Sequence, residues 1–222
     1  MESDDNKRWR ETKASLEAEP LTLGPYFSFI ARKTPRRLLH LLSYYKFASR
    51  MIGANKRVVD VGCSEGFGTT IVAEASKSCL GVDLDADAIA TATQTVGSDR
   101  LRFEVRDIIA KPLPECDAIV TLDTIEHIPR ENEDAYVRAL ADALSADGIC
   151  IIGTPNETSD KYASPWTRAG HINLFSADRL RELGERHFRN VFSFSANDEV
   201  VHTGFAPMAH YLIALCAGPK RT

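Results

Sequence analysis

Residues 58–69 read VVDVGCSEGFGT, and their order decides the fold. An apolar run meets an acid, Asp60, and glycines follow at 62, 66 and 68. A helix-like run, 69–76, comes next. The pattern predicts a strand, a tight glycine turn and a helix start. Glycine lets backbone approach a ligand closely, and a helix N-terminus presents unpaired N–H groups. A second strand candidate, 79–83, ends in Asp83. It lies about 20 residues beyond the glycines, where an acid can reach the hydroxyl pair of a ribose. The stretch therefore predicts a nucleoside-bearing cofactor. Its spacing, G-x-x-x-G-x-G, differs from the G-x-G-x-x-G of nicotinamide and flavin sites.

Working outward, strand candidates fall at 57–61, 79–83, 101–105, 117–122 and 148–153. Helix candidates at 69–76, 86–95 and 131–144 alternate with them, and an amphipathic run, 38–52, precedes them. Such alternation predicts βαβ units with right-handed crossovers, a doubly wound α/β sandwich. Ser176 reads as an N-cap for a helix over 177–188. Strand candidates 191–195 and 207–216 then follow with no helix between them. A short connection suits an antiparallel pair at the sheet edge. The expected fold is a Rossmann-like, seven-stranded, mainly parallel sheet with an antiparallel last strand. The 196–206 connection should project on the face where open α/β sheets bind ligands. Residues 1–36 read as a polar cap segment, loosely attached over the first 20 or so, and 37–222 as one domain.

The chain has 222 residues, enough for one substantial core, and 44% of them are hydrophobic. A net charge of −4 argues against a dedicated nucleic-acid surface. Five scattered cysteines, an odd number without metal-ligand spacing, read as reduced, mostly buried thiols of a cytoplasmic protein. The charged start, MESDDNKRWR, is no signal peptide, and no apolar run predicts membrane insertion.

With these elements in order, the chain resembles the class I S-adenosylmethionine-dependent methyltransferases. VVDVGCSEGFG is similar to their first motif, and GVDLD to their second acidic motif. RDI at 106–108, LDTIEHI at 122–128 and IIGTPN at 151–156 match later strand ends. One departure is Ser64, where glycine is commoner; a serine fits there if its backbone angles are ordinary. The resemblance implies S-adenosyl-L-methionine as cofactor. Asp60 would order the turn and the methionine end, beside Gly62, Cys63, Ser64 and Gly66. Asp83 would accept the ribose hydroxyls, Leu84 would pack on the adenine, and Asp107 would accept from its amino group next to Ile108. Leu122, at the end of the fourth strand, would also bind the cofactor. Read from residues alone, Asp83 and Asp107 also suit strand-end acids that cap helices.

A second constellation follows the fourth strand: Asp123, Glu126 and His127, at i, i+3 and i+4, share a face in a helical turn. His171, in GHINLF after the fifth strand, is a fourth candidate. Two carboxylates and two imidazoles suit a divalent cation, Mg²⁺ or Mn²⁺, that lowers an acceptor hydroxyl's pKa. The arrangement resembles Glu-x-x-Glu-His in the ubiquinone-pathway O-methyltransferases and the small-RNA 2′-O-methyltransferases. Here Asp123 replaces the first Glu and is one methylene shorter. His127 as a metal-free general base is the other reading.

Three pieces surround the expected mouth: the aromatic and basic run 26–45, the long connection 156–171, and Asn197, Asp198, Glu199 with His202. The first also reads as a helix packed on the sheet, and the last as a solvated turn. His40, His187 and His210 read as packing or surface residues. NDEVVHTGF and PMAHYL resemble stretches of bacterial methyltransferases encoded near surface-glycan genes. The expected acceptor is a small polyhydroxylated molecule, a sugar or glycan precursor. The rivals are an RNA 2′-O-methyltransferase, a small-molecule N-methyltransferase and a non-catalytic cofactor-binding protein. The sequence leaves the oligomeric state open.

Overall fold

The computed structural model describes residues 4–16 and 21–221. Of the N-terminal stretch, residues 1–3 and 17–20 lie outside the described residues. The first helix, α1 (Asp4–Ala14), buries none of its residues. α2 (Pro25–Lys33) and α3 (Pro35–Ile52) each begin with a proline, which suits a first helical turn because the N–H that proline lacks would have no partner there. α3 starts three residues earlier than the apolar run 38–52, at this proline.

Among the described residues the sheet has eight strands, in the order β3-β2-β1-β4-β5-β8-β6-β7. They are β1 (Arg57–Val61), β2 (Ser78–Asp83), β3 (Leu101–Val105), β4 (Cys116–Leu122), β5 (Leu144–Pro155), β6 (Phe188–Ala196), β7 (Val201–His202) and β8 (Tyr211–Pro219). β1 to β5 run parallel. β8 is antiparallel to both β5 and β6 and lies between them, so β6 runs with the first five. The mainly parallel doubly wound fold is as expected, but the count is eight rather than seven. β7 is a two-residue strand that folds back on β6 through Ser195↔His202 and Ala196↔Val201. The expected strand over 207–216 begins later, at Tyr211, because Ala206–Met208 forms a 3-10 turn. Pro207 inside that turn cannot donate to a ladder.

Helices cover both faces. Leu140 of α6 (Glu133–Ala143) and Leu183 of α8 (Ala177–His187) pack with Val59, Val82, Ile119 and Leu212. Tyr45 and Ala48 of α3, with Val72 of α4 (Thr69–Ala73), pack on the other face with Val58, Val120 and Ile213. The split follows strand alternation, Val59 to one side and Val58 to the other. α5 (Ala86–Val96) is capped by Asp85, whose side chain accepts from Asp87 and Ala88 N–H. All five cysteines are free and buried. Among the described residues no helix is long and apolar enough to cross a membrane.

Candidate functional site

β1 delivers the glycine turn to the centre of the sheet, between β2 and β4. Gly62 and Gly66 have φ of 78° and 75°, angles that suit glycine. A Cβ on Gly62 would stand 2.1 Å from Thr124 Oγ1, and one on Gly68 would stand 2.2 Å from the Tyr45 ring. The glycines therefore draw the turn against β4 and α3. Ser64 departs from the ordinary angles expected of it, with φ of 49°, in the left-handed region. It is held there by its N–H, which Asp83 Oδ2 accepts at 2.8 Å.

Asp60 is fully buried and accepts from Thr69 Oγ1 at 2.6 Å and, weakly, from the Tyr45 hydroxyl at 3.5 Å. Burial pushes its carboxyl up to about 7. Asp83 also accepts the Asp85 N–H through Oδ1, at 3.0 Å. Each oxygen keeps a second lone pair, so these bonds fix the carboxylate at the cleft edge without using it up. Leu84 beside it is 66% exposed, a bare apolar ledge. Asp107 Oδ1 accepts from Ile109 and Ala110 N–H at 2.9 and 3.3 Å and caps its own turn. Ile108 is buried. All ten residues expected at the cofactor except Asp60 and Gly66 line one cleft of about 840 Å³.

The second constellation gathers at the end of β4. Among the described residues, Glu126, His127 and His171 bring ligand atoms within 4.8 Å of one another. Asp123 lies outside that set. Its backbone has φ of 53°, and its N–H donates to Gly153 O at 3.0 Å and to the Tyr211 hydroxyl at 3.2 Å. Glu126 is fully buried; Oε2 accepts from Thr154 Oγ1 at 3.0 Å, while buried Oε1 has no partner. Burial, then the neighbouring Asp123, pushes its carboxyl well up. His127 Nδ1 lies 2.8 Å from Gly170 O. A carbonyl only accepts, so Nδ1 carries the proton and Nε2 is left with a lone pair when the ring is neutral. The His171 ring stands 5.1 Å from it, edge to face. Burial, then His127 and Arg37, pushes His171 down to about 4, so it is neutral at pH 7.

A cavity of about 430 Å³ lies against the larger cleft; Arg37, Leu41, Asp123, Thr167 and His171 line both. His40, Asn197 and His210 also line it. Asn197 thus reaches the ligand face. Asp198 and His202 instead accept from Val200 and Gly204 N–H within their own turns. His187 packs against Asp134 at 3.0 Å. The 156–171 connection is helical, with a 3-10 turn (Glu157–Tyr162) and α7 (Pro165–Gly170).

Glu65 was not singled out in the sequence. It is buried inside the glycine motif and accepts Tyr26 and Phe27 N–H at 2.7 and 3.0 Å. It caps α2, whose N-cap Gly24 has no side chain to do so. Its acid between Ser64 and Gly66 was the one available sign. Thr154 and Tyr211 gave none, because both act across strands.

The donor set fits a cation. One buried carboxylate with an unpartnered oxygen and two imidazoles suits Mn²⁺ better than Mg²⁺, which prefers oxygen ligands.

The comparisons bear on the fold and the methyl donor. A Mycobacterium tuberculosis protein described as a probable S-adenosylmethionine-dependent methyltransferase is 27% identical over 67% of this chain and 61% of its own length. The ubiquinone biosynthesis O-methyltransferase of Xanthomonas axonopodis is 26% identical over 70% of this chain and 66% of its own length. The chain thus spans less than two thirds of these relatives. The N-methyltransferase NodS from Bradyrhizobium japonicum, in complex with S-adenosyl-L-homocysteine, superposes with a TM-score of 0.64 at 16% identity. It covers 96% of this chain and 98% of its own, and at that identity it speaks for the fold alone. Residues 30–187 match the family described as a methyltransferase domain, and the chain belongs to that family, the class I S-adenosylmethionine-dependent methyltransferases.

Proposed function

We propose that the protein is an S-adenosylmethionine-dependent O-methyltransferase acting on a hydroxyl of a small polyhydroxylated acceptor, a sugar or glycan precursor, with a divalent cation assisting. The observation that carries this reading is the buried Glu126 Oε1 without a partner, beside His127 and His171, where two cavities share a wall. The larger cleft would hold the cofactor and the smaller cavity the acceptor. Residues 1–36 would act as a cap on the domain 37–222; the hold of Glu65 on α2 supports this.

Asp83 would accept from the ribose and Asp107 from the adenine, while the glycine turn orients the methionine end. Glu126, His127 and His171 would hold the cation, with Asp123 at their edge. A bound cation lowers the pKa of a coordinated hydroxyl and fixes its oxygen. The protein's own contribution is placement. Methyl transfer is a direct displacement, and holding both reactants in line supplies much of its rate. Without a cation, His127 Nε2 would take the hydroxyl proton; the Nδ1 bond to Gly170 O favours this second version.

The test is transfer of labelled methyl from S-adenosylmethionine to a panel of sugars and nucleotide sugars, with and without EDTA. The expected outcome is a methyl ether, lost with EDTA and restored by Mn²⁺. Chelator-insensitive transfer would overturn the metal version and leave His127 as base. Methylation of amines only would overturn the O-methyl reading. The relative from Xanthomonas is named an O-methyltransferase, which supports oxygen.

A further inference from the structure

We propose that Asn173, Glu133 and Arg179 form a largely buried polar clamp that positions Glu126 and His171 for the cation, an inference that rests on the metal-assisted reading. The three ligands come from two stretches far apart in the chain, the 3-10 turn Ile125–His127 and the segment after α7. His171 is fastened on both sides. Before it, Gly170 O accepts from His127 Nδ1 at 2.8 Å. Beyond it, the Asn173 N–H donates to Glu126 O at 3.0 Å.

Asn173 is itself fixed. It is 3% exposed, and its Nδ2 donates to Glu133 Oε2 at 2.9 Å. Its Oδ1 accepts from an Arg179 guanidinium N–H at 2.8 Å. Arg179 also donates to Glu133 Oε2 and lies 4.0 Å over the Phe175 ring. One residue thus joins α6 and α8 through its side-chain amide and the Glu126 stretch through its backbone N–H. Every side-chain polar atom of Asn173 has a partner, so the residue has little freedom to shift. Burying a glutamate and most of an arginine is costly, and a close hydrophobic substitute often serves stability as well. A precise position for the backbone of 171–173 is what the clamp adds. None of the three touches a reactant, so they are positioning residues.

The test measures Mn²⁺ affinity by calorimetry on the full chain saturated with S-adenosylhomocysteine. Asn173→Ala and Arg179→Lys are compared with wild type and with Val137→Ala, which loosens α6 and leaves all three clamp side chains unchanged. Groups that orient metal ligands typically cost about 10- to 100-fold in metal affinity when removed. The expected result is at least about a 10-fold loss of Mn²⁺ affinity in both clamp variants. Their affinity for S-adenosylhomocysteine should be unchanged, and Val137→Ala should keep both affinities. Unchanged Mn²⁺ affinity in the clamp variants overturns the inference. An equal loss in Val137→Ala also overturns it, since loosening alone would then suffice. If Asn173→Ala does not fold, Arg179→Lys decides. A wild-type protein that binds S-adenosylhomocysteine but no Mn²⁺ overturns the metal reading, and the clamp with it.

Discussion

Single residues set the character of the turn. Ser64 is the departure from the family's glycine, and its φ of 49° explains why glycine is usual there. A side chain in the left-handed region costs about 1–2 kcal/mol, and glycine's extra unfolded-state freedom takes back part of any gain. Ser64→Gly should therefore raise stability by about 0.5–1 kcal/mol, seen as a higher urea midpoint at unchanged slope. A lower midpoint would mean that the hydroxyl matters more than the backbone. Asp60 allows a pH test. Its carboxyl titrates near 7 when folded, against about 3.9 when unfolded. Between those values the folded state holds the extra proton, so stability falls as pH rises through the window and levels off above 7. Asp60→Asn removes the dependence. The variant should be the more stable at pH 8, by at most about 4 kcal/mol, and the gap should close near pH 4. A gap constant from pH 4 to 8 would refute the buried charge as its cause. Asp60, Asp83 and the glycines were legible because their spacing is local. Glu126's buried, unpartnered oxygen was not, since the residues that bond Glu126, Thr154 and Asn173, are each distant in sequence.

Elements were legible where a period or a cap marked them. β1 and β3 begin and end where the apolar runs do. α4 stops at Ala73, short of the run to 76, where the chain turns toward β2. β7 carries two residues, too few for any period. The attachment of α2 was hidden as well, because a carboxylate from the glycine turn serves as its cap. Glu65→Ala leaves the N–H groups of Tyr26 and Phe27 without an acceptor, and losing a cap costs about 0.5–2 kcal/mol. The loss should stay local. Amide exchange should speed up over 25–33 and remain slow in β1 and β4. Uniformly faster exchange would show that Glu65 supports the whole core instead.

At the scale of the molecule, the cleft is walled by pieces that the fold brings together from four places. Tyr26 and Arg37 come from the N-terminal helices, Gly62 and Asp83 from the first two strand ends, Asp123 from β4, and Trp166 and His171 from the α7 region. A ligand that touches all four binds the folded state only, so it stabilises the fold by mass action. S-adenosylhomocysteine at 100 times its dissociation constant should add about 2.7 kcal/mol. In a chain of this length that is roughly 5–10 °C in the melting midpoint. NAD⁺ at the same concentration should give no shift, because the turn does not carry the dinucleotide spacing. An equal shift with NAD⁺ would overturn the assignment of the glycine turn to a methyl donor. Gly62→Ala supplies the internal control. Its Cβ meets Thr124 and its φ is wrong for alanine, so the variant should melt lower and lose the shift. A variant that melts lower yet keeps the full shift would place the ligand elsewhere than against the glycine turn.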